Sequence, residues 1–325
     1  MAARRAARRG AHGEVRAGGA AVRLIFLSGL SGSGKSVALH ALEDLEYYCV
    51  DNIPAMLLQS FISHTVRAGS GVYQLTAIGL DARNPDADLG TVPDLIAELK
   101  RSGIHCELIF LVASDEELLR RFAETRRKHP LSRQGADLQA AIQQERRLLE
   151  PVINAADLVI DTSRLSVHEL RELINSRVGQ RPRDRMSILF ESFGFKNGIP
   201  GDADFVFDAR SLPNPYWEPS LRPLTGRDDA VIKFLEAQSS VAQFIDQVAQ
   251  FIEARIPEHQ AANRRYLTVG IGCTGGQHRS VFIAERLAER IAERWPQVAV
   301  RHSTLADAVR VLGPPPTAPR DDQQR

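Results

Sequence analysis

Residues 24–36 read Leu-Ile-Phe-Leu-Ser-Gly-Leu-Ser-Gly-Ser-Gly-Lys-Ser, and residues 37–42 continue as Val-Ala-Leu-His-Ala-Leu. This predicts a buried strand, a glycine-rich loop and a helix, the context that a P-loop (Gly-x-x-x-x-Gly-Lys-Ser) requires. Glycines let successive N–H groups point at phosphate oxygens, and the helix N-terminus adds roughly half a positive charge there. The alternative is a chance match in a glycine-rich loop. The predicted phosphate-binding residues are Gly29, Leu30, Ser31, Gly32, Ser33, Gly34, Lys35 and Ser36.

Three residues are the predicted catalytic group, namely Lys35, Ser36 and Asp81. Lys35 supplies a full positive charge to the β- and γ-phosphates, and the Ser36 hydroxyl is a ligand for Mg²⁺. Asp81 follows the apolar stretch 72–80, where a carboxylate reaches Mg²⁺ directly or through water. Apolar strands that end in aspartate are common, so the alternative is that Asp81 has no metal role. The predicted metal ligands are Ser36 and Asp81.

Composition narrows the class of protein. The 325 residues are ample for two cores, and the formal charge of +1 excludes a globally basic nucleic-acid binder but leaves room for a local patch. Three cysteines make no disulfide framework and fit a reducing, cytoplasmic compartment. No apolar run approaches the ~20 residues of a transmembrane helix, so we expect no membrane contact.

Both ends of the chain differ in composition from the rest. Residues 1–21 are rich in Ala, Arg and Gly and have no apolar core of a secretory signal. They resemble an Arg-rich transit peptide, but we prefer a disordered extension or a start codon placed too early. Residues 307–325 contain three consecutive prolines and predict a disordered tail.

Residues 22–180 alternate predicted strands with helices, which predicts a parallel sheet with helices on both faces. The layout is that of a small nucleotide or nucleoside kinase. Asp51 ends one short strand and would hold Mg²⁺ or a substrate, unless it only forms a turn before proline. Ser114 is the predicted N-cap of a helix with Glu117 at the capping-box position.

The helix after Ser114 and the segment behind it are basic. In many kinases with a P-loop, such a segment closes over the phosphates as a lid, whereas the alternative is a solvated helix face. The residues concerned are Arg120, Arg121, Arg126, Arg127 and Lys128.

Residues 185–306 predict a second, smaller α/β domain with one long helix from about 230 to 255. Its informative part is residues 266–281, where a strand, a glycine-rich turn and a helix follow one another. Cys273 and Arg279 stand in a Cys-x₅-Arg-Ser relation, a spacing that wraps a loop around an oxyanion. The predicted anion-binding residues are Cys273, Thr274, Gly275, Gly276, Gln277, His278, Arg279 and Ser280.

Three interpretations of this loop compete. It is a phosphate or sulfate pocket without covalent chemistry, a phosphatase in which Cys273 is a thiolate nucleophile, or a structural turn with a buried cysteine. Gly270-x-Gly272-x-x-Gly275 also matches a dinucleotide fingerprint, which alone is weak. Cations at a helix N-terminus are unfavourable, so His278 and Arg279 favour an anion at that place.

Seven motifs resemble the RapZ/YvcJ family of nucleotide-binding proteins, and the resemblance extends from about residue 22 to 305. They are Gly-Leu-Ser-Gly-Ser-Gly-Lys-Ser (29–36), Tyr-Cys-Val-Asp-Asn-Ile-Pro (48–54), Asp-Ala-Arg-Asn (81–84), Thr-Arg-Arg-Lys-His-Pro-Leu (125–131), Phe-Glu-Ser-Phe-Gly-Phe-Lys-Asn-Gly-Ile-Pro (190–200), Leu-Pro-Asn-Pro-Tyr-Trp (212–217) and Gly-Cys-Thr-Gly-Gly-Gln-His-Arg-Ser (272–280).

The resemblance implies ATP binding at 29–36, weak ATPase and GTPase activity, and a second domain that senses a phosphorylated amino sugar such as glucosamine 6-phosphate. We also expect a homo-oligomer. In enterobacterial members the protein is an RNase adaptor that binds small RNA, a role associated with a basic C-terminal end. Residues 308–314 carry no Lys/Arg cluster, and Asn197 stands where those members have histidine, which argues against RNA as a partner. The implied GTP contacts are Asp81, Ala82, Arg83 and Asn84.

The sequence therefore predicts a cytoplasmic nucleotide-binding regulator that uses ATP, GTP and Mg²⁺. One alternative is a small-molecule kinase with Asp51 at the acceptor site and a lid at Arg126 and Arg127. The other is an RNA-binding adaptor with little enzymatic role.

Overall fold

The computed structural model of the protein describes residues 22–68, 73–81, 89–132, 137–179, 186–262, 264–305 and 309–312. Two five-stranded sheets dominate this part of the chain. The first lies within the predicted domain 22–180, and four strands of the second lie within 185–306. None of the described helices is both long and apolar enough to cross a membrane. The predicted α/β fold class, with a parallel-sheet domain followed by a second α/β domain, is confirmed.

The first sheet is parallel throughout, with strand order β2-β3-β1-β4-β5. Its P-loop strand β1 is central, between β3 and β4, so the chain winds away from it in both directions. Ligands bind such sheets at the carboxyl ends of the strands beside this reversal. The strands are β1 (Arg23–Gly29), β2 (Tyr48–Val50), β3 (Leu75–Gly79), β4 (His105–Val112) and β5 (Leu158–Asp161). The helices are α1 (Lys35–Glu43), α2 (Ala55–Ala68), α3 (Val92–Arg101), α4 (Asp115–Thr125), α5 (Leu138–Asn154) and α6 (Val167–Ile174).

The apolar run of β1 is explained by burial on both faces of the sheet. Leu24 and Phe26 belong to one apolar cluster, while Ile25 and Leu27 belong to another. A strand covered by helices on both sides has no polar face, so its sequence shows no alternation.

Ser114 caps α4 as predicted, because its hydroxyl accepts a hydrogen bond from the Glu117 N–H at 3.3 Å. The Glu117 carboxylate pairs with Arg120 and Arg121. A complete capping box, which the sequence analysis did not identify, begins α6 at Ser166 and Glu169.

The second sheet has strand order β10-β9-β6-β8-β7, and all its pairs are parallel except that between β9 and β10. Its first strand, β6, is again central. The strands are β6 (Ser187–Gly194), β7 (Phe205–Asp208), β8 (Tyr266–Cys273), β9 (Val298–His302) and β10 (Arg310–Leu312). The helices are α7 (Asp229–Glu236), α8 (Ser239–Ala261) and α9 (Arg279–Ala292).

The single long helix predicted from 230 to 255 is wrong, because α7 and α8 are separate. Gln238 is extended, with φ −97° and ψ 110°, and interrupts the helix. Leu235 and Val241 are both buried, yet six residues of continuous helix would place them about 120° apart around the axis. The break returns Val241 to the core.

The tail predicted from residue 307 begins too early, since Arg310–Leu312 form β10. These residues pair antiparallel with β9, Val311 opposite Ala299 and Leu312 opposite Val298. The short strand covers the backbone edge that β9 would otherwise present to solvent.

Buried groups join the two sheets. The Glu107 carboxylate on β4 accepts hydrogen bonds from Arg23 on β1 and from the Tyr266 hydroxyl on β8, both at 3.1 Å. Arg177, in the turn after α6, is buried and donates to the Ser187 carbonyl at 3.1 Å and to the Thr268 hydroxyl at 3.1 Å. The apolar cluster that contains Ile25 and Leu27 of the first sheet also contains Leu189 of the second. The two sheets are therefore packed directly against each other.

Candidate functional site

The predicted P-loop joins the end of β1 to the start of α1. Gly34 precedes the helix in the left-handed region with φ 102°, and a Cβ there would lie 2.8 Å from the Leu170 Cδ2. Only glycine fits without strain. The helix has no side-chain cap and no acidic residue in its first turn, so its first N–H groups are available to an anion.

The three predicted catalytic residues lie together at the carboxyl ends of β1 and β3. The Lys35 Nζ donates to the Gly29 carbonyl at 2.6 Å and lies 3.9 Å from the Asp81 Oδ2. Asp81 is buried, with 6% of its surface exposed, whereas Ser36 is exposed. All three line one cavity of about 600 Å³. This is the arrangement expected of a lysine, a hydroxyl and a carboxylate around a phosphate chain.

The basic segment faces this cavity, which Arg120, Arg121, Arg127 and Lys128 line. The Arg121 Nη1 donates to the Gly32 carbonyl at 3.0 Å, and its Nη2 donates to the Thr162 carbonyl at 2.6 Å. Arg121 thus ties α4 to the P-loop. The basic segment therefore contacts the P-loop and does not face solvent alone.

A buried carboxylate that the sequence analysis missed supports the P-loop from α5. Glu145 is fully buried and accepts hydrogen bonds from the Ser31 N–H at 2.9 Å and the Ser31 hydroxyl at 2.7 Å. The His129 Nε2 lies 3.2 Å from the same carboxylate. A signal existed, because Glu145 falls on the apolar stripe of α5 between Ile142 and Leu149.

Two other predicted positions stand apart. Asp51 is exposed, its carboxylate lies against Gly79, and it does not line the cavity that contains Lys35. The GTP-contact residues Ala82, Arg83 and Asn84 lie outside the described residues, whereas Asp81 is described.

The site suits Mg²⁺ bound mainly through a nucleotide. Among the described residues there is no cluster of three or more His, Cys, Asp or Glu that would hold a metal by itself. Mg²⁺ needs only one or two protein ligands beside phosphate oxygens and water. The Ser36 hydroxyl and the Asp81 carboxylate fit that donor set.

The second predicted site joins β8 to α9. Gly276 has φ 76°, and a Cβ there would lie 2.7 Å from the Gly194 N–H nitrogen, so the turn packs tightly on β6. The Cys273 Sγ accepts from the Gly276 N–H at 3.2 Å and lies 3.1 Å from the Ser280 Oγ. Cys273 is buried, and these contacts of its sulfur help to hold the turn closed.

Arg279 does not have the surroundings that its spacing suggests. Its Nη1 donates to the carbonyls of Arg210 and Leu212 at 2.8 and 2.9 Å, which fastens the loop after β7. Its Nη2 lies 3.5 Å from the Thr274 Oγ1. Its buried Nε has no hydrogen-bond partner among the described residues. Burial lowers the pKa of Arg279, although the neighbouring Cys273 and Asp208 oppose that shift.

Comparisons with known proteins cover both sheets. A family model described as the RapZ-like N-terminal domain matches residues 22–181, and one described as the RapZ C-terminal domain matches residues 186–306. Among solved structures, a shikimate kinase from Bacteroides thetaiotaomicron aligns with a TM-score of 0.33 and 17% identity. That alignment covers 47% of this chain and 96% of the kinase.

Curated relatives match along nearly their whole length. A protein from Alkalilimnicola ehrlichii named "Nucleotide-binding protein" is 53% identical over 287 residues, 87% of this chain and 98% of its own. One of the same name from Halorhodospira halophila is 52% identical over 285 residues, 88% of this chain and 99% of its own. With family models matching both sheets and relatives this similar, the chain belongs to the RapZ family.

Proposed function

We propose that the protein binds ATP or GTP with Mg²⁺ at the P-loop and hydrolyses it slowly. One observation carries the proposal, namely that Lys35, Ser36 and Asp81 line the same 600 Å³ cavity at the ends of β1 and β3. The curated relatives named "Nucleotide-binding protein" support it.

Each residue has a role in this proposal. Lys35 leaves the Gly29 carbonyl to neutralise the β- and γ-phosphates, while Ser36 and Asp81 hold Mg²⁺, which offsets the charge that develops on the phosphates. Arg121 and its neighbours on the basic segment cover the phosphate chain. Asp81, with Ala82, Arg83 and Asn84, contributes the GTP contacts that the family resemblance implies.

The second loop, Cys273–Ser280, is proposed to bind a phosphorylated amino sugar such as glucosamine 6-phosphate. α9 begins without a side-chain cap or an acidic first turn, so its N–H groups are free to meet an anion. The buried Arg279 Nε supplies an unused donor beside it. The nucleotide state of the first site would bias this second site, and the reverse. A cytoplasmic location and a homo-oligomeric state belong to the same proposal.

Replacing Lys35 with alanine is expected to abolish the stabilisation that nucleotide confers. Ligand at 100 times its Kd stabilises a native protein by about 2.7 kcal/mol, and that gain should vanish when the ammonium group proposed to neutralise the β- and γ-phosphates is removed. The measurement is the melting temperature with ATP or GTP plus Mg²⁺, alongside phosphate release.

The control is Lys233→Ala, which removes an exposed lysine of α7. It should retain both stabilisation and hydrolysis. The nucleotide proposal fails if the wild-type protein gains no stability with either nucleotide. Phosphorylation of an added acceptor at roughly 1–100 s⁻¹ would instead favour the kinase.

Replacing Arg279 with alanine is expected to abolish sulfate and sugar-phosphate binding at the second loop while ATP binding survives. The change removes the unused Nε donor. It also removes the hydrogen bonds from Arg279 to the carbonyls of Arg210 and Leu212, which fasten the loop after β7. Isothermal titration calorimetry with sulfate and glucosamine 6-phosphate measures the loss. Arg290→Ala, on the same helix and paired with Asp246 at the surface, is the matched control.

Unchanged sugar-phosphate affinity in Arg279→Ala would refute this second assignment. A phosphatase activity that Cys273→Ser removes would move the covalent interpretation ahead of simple binding.

A further inference from the structure

A second cavity, of about 440 Å³, lies between the two sheets. The first sheet and its helices supply the start of α4, Asp161 at the end of β5 and Arg164 behind that strand. The second supplies Glu191 on β6, Arg301 on β9 and the segment 199–202. This cavity contains neither the P-loop nor the Cys273–Ser280 loop.

A buried ion pair in its wall is incompletely satisfied. The Arg301 Nη2 lies 3.1 Å from the Glu191 Oε1, and the two residues are 7% and 1% exposed. The other carboxylate oxygen, Glu191 Oε2, and the other terminal nitrogen, Arg301 Nη1, have no hydrogen-bond partner in the described part of the chain. Buried polar atoms are nearly always paired, so this acceptor and this donor indicate a missing polar group.

Negative charge gathers beside that pair. The Asp202 Oδ2 accepts a hydrogen bond from the Asp161 N–H at 3.2 Å, which brings both carboxylates to the same wall as Glu191. Burial raises the pKa of Glu191 to about 7; Arg301 opposes the rise, and Asp202 and Asp161 add to it. The described residues hold no metal-binding cluster. An organic ammonium group would relieve the repulsion among these carboxylates.

Positive charge lies a short way along the same wall. Around the segment 199–200, the Arg164 Nη2 lies against Gly198 and the Asp161 Oδ2 lies against Gly201. Arg164 is exposed, and it lines the cavity. Asp161 and Arg164 therefore flank one short segment, so the cavity offers groups of both signs to a bound molecule.

We propose that this cavity binds a small zwitterion of amino-acid size. Its ammonium group faces the carboxylates of Glu191, Asp202 and Asp161. Its anionic group faces Arg164 and the unpaired Nη1 of Arg301. Ser114, Ser163 and Ser303 also line the cavity.

The cavity shares a wall with the proposed nucleotide site, so a molecule bound in it could influence the P-loop. Glu117 and Arg120 line both cavities. Thr162, next to Asp161, donates to the Ser33 carbonyl of the P-loop at 2.9 Å. The binding itself needs no nucleotide, so it is tested without one and stands apart from the proposed hydrolysis.

The test uses the full chain without nucleotide and three matched probes in calorimetry and thermal unfolding. L-serine carries both charges, ethanolamine lacks the carboxylate, and 3-hydroxypropanoate lacks the ammonium group. L-serine should give saturable heat and raise the melting temperature, with an affinity at least roughly tenfold above that of either other probe, since each lost charge contact removes about that factor.

Arg164→Gln should weaken L-serine binding by roughly tenfold, and Asp202→Asn by a similar factor. Arg164 is exposed, so its replacement leaves the fold intact. The control is Arg171→Gln, an exposed residue of α6 outside the cavity, which should bind as the wild type does. Absence of saturable L-serine binding overturns the proposal. So does ethanolamine binding as tightly as L-serine, or an unchanged affinity in Arg164→Gln.

Discussion

Replacing Glu107 with alanine is expected to lower the free energy of unfolding by about 3–5 kcal/mol, the usual cost of removing one partner from a buried ion pair. The Glu107 side chain is fully buried on β4. It accepts from the Arg23 Nη2 and the Tyr266 hydroxyl, both at 3.1 Å, and the Arg265 Nε lies 3.8 Å away. Without the carboxylate, the Arg23 guanidinium keeps its charge in the interior without that counter-charge.

The change should also uncouple the unfolding of the two sheets. Arg23 and Glu107 belong to the first sheet. Tyr266 is the first residue of β8, which pairs with the central strand β6 of the second sheet. Urea unfolding followed by tryptophan fluorescence and by circular dichroism measures the loss. We expect the two signals to coincide in the wild type and to have different midpoints in the variant.

The control is Glu258→Ala on α8. Its ion pair with Arg255 has an N–O distance of 2.8 Å, but its side chain is 60% exposed. Surface pairs contribute about 0–1 kcal/mol, so this variant should unfold close to the wild-type midpoint. A loss below about 1 kcal/mol in Glu107→Ala would contradict the buried-charge argument, because it would equal that of a surface pair.

The P-loop was predictable because its information is local. A strand, glycines with positive φ and a helix follow within twenty residues, and each constrains the next. The β10 strand could not be predicted in this way, because three residues form a strand only when β9 provides a partner. The division of α7 from α8 depends likewise on which residues the second core buries, a fact that periodicity within one segment does not contain.

The site residues show the same difference between local and long-range information. The spacing of Cys273 and Arg279 predicts the turn, but not the direction of the guanidinium. Its partners Arg210 and Leu212 are 69 and 67 residues away in the chain. Glu107 and Glu145 were visible as charges inside apolar patterns, which indicates a buried partner without saying which one. Only the folded chain shows that one holds the sheets together and the other holds the P-loop.

Replacing Glu145 with glutamine is expected to weaken nucleotide binding by at least roughly tenfold, or about 1.4 kcal/mol. Glu145 positions the P-loop by accepting from both the N–H and the hydroxyl of Ser31. It also meets the His129 Nε2, which anchors the basic segment. An amide has one acceptor oxygen and would turn an NH₂ group toward these partners. At least one buried donor is then unpaired, which costs about 1–3 kcal/mol of stability.

If Glu145 positions the P-loop, its replacement should change nucleotide binding as well as stability. The two proposed sites allow these outcomes to be told apart. In Glu145→Gln, ATP affinity should fall while sulfate binding at the Cys273–Ser280 loop is unchanged, both measured by calorimetry well below the melting temperature. The control Glu150→Gln changes an exposed carboxylate on the same helix and should alter neither. If the variant melts earlier but binds ATP as tightly as the wild type, Glu145 only stabilises the fold. If both ligands are lost together, the change has disrupted the whole molecule, and the local account of the P-loop is wrong.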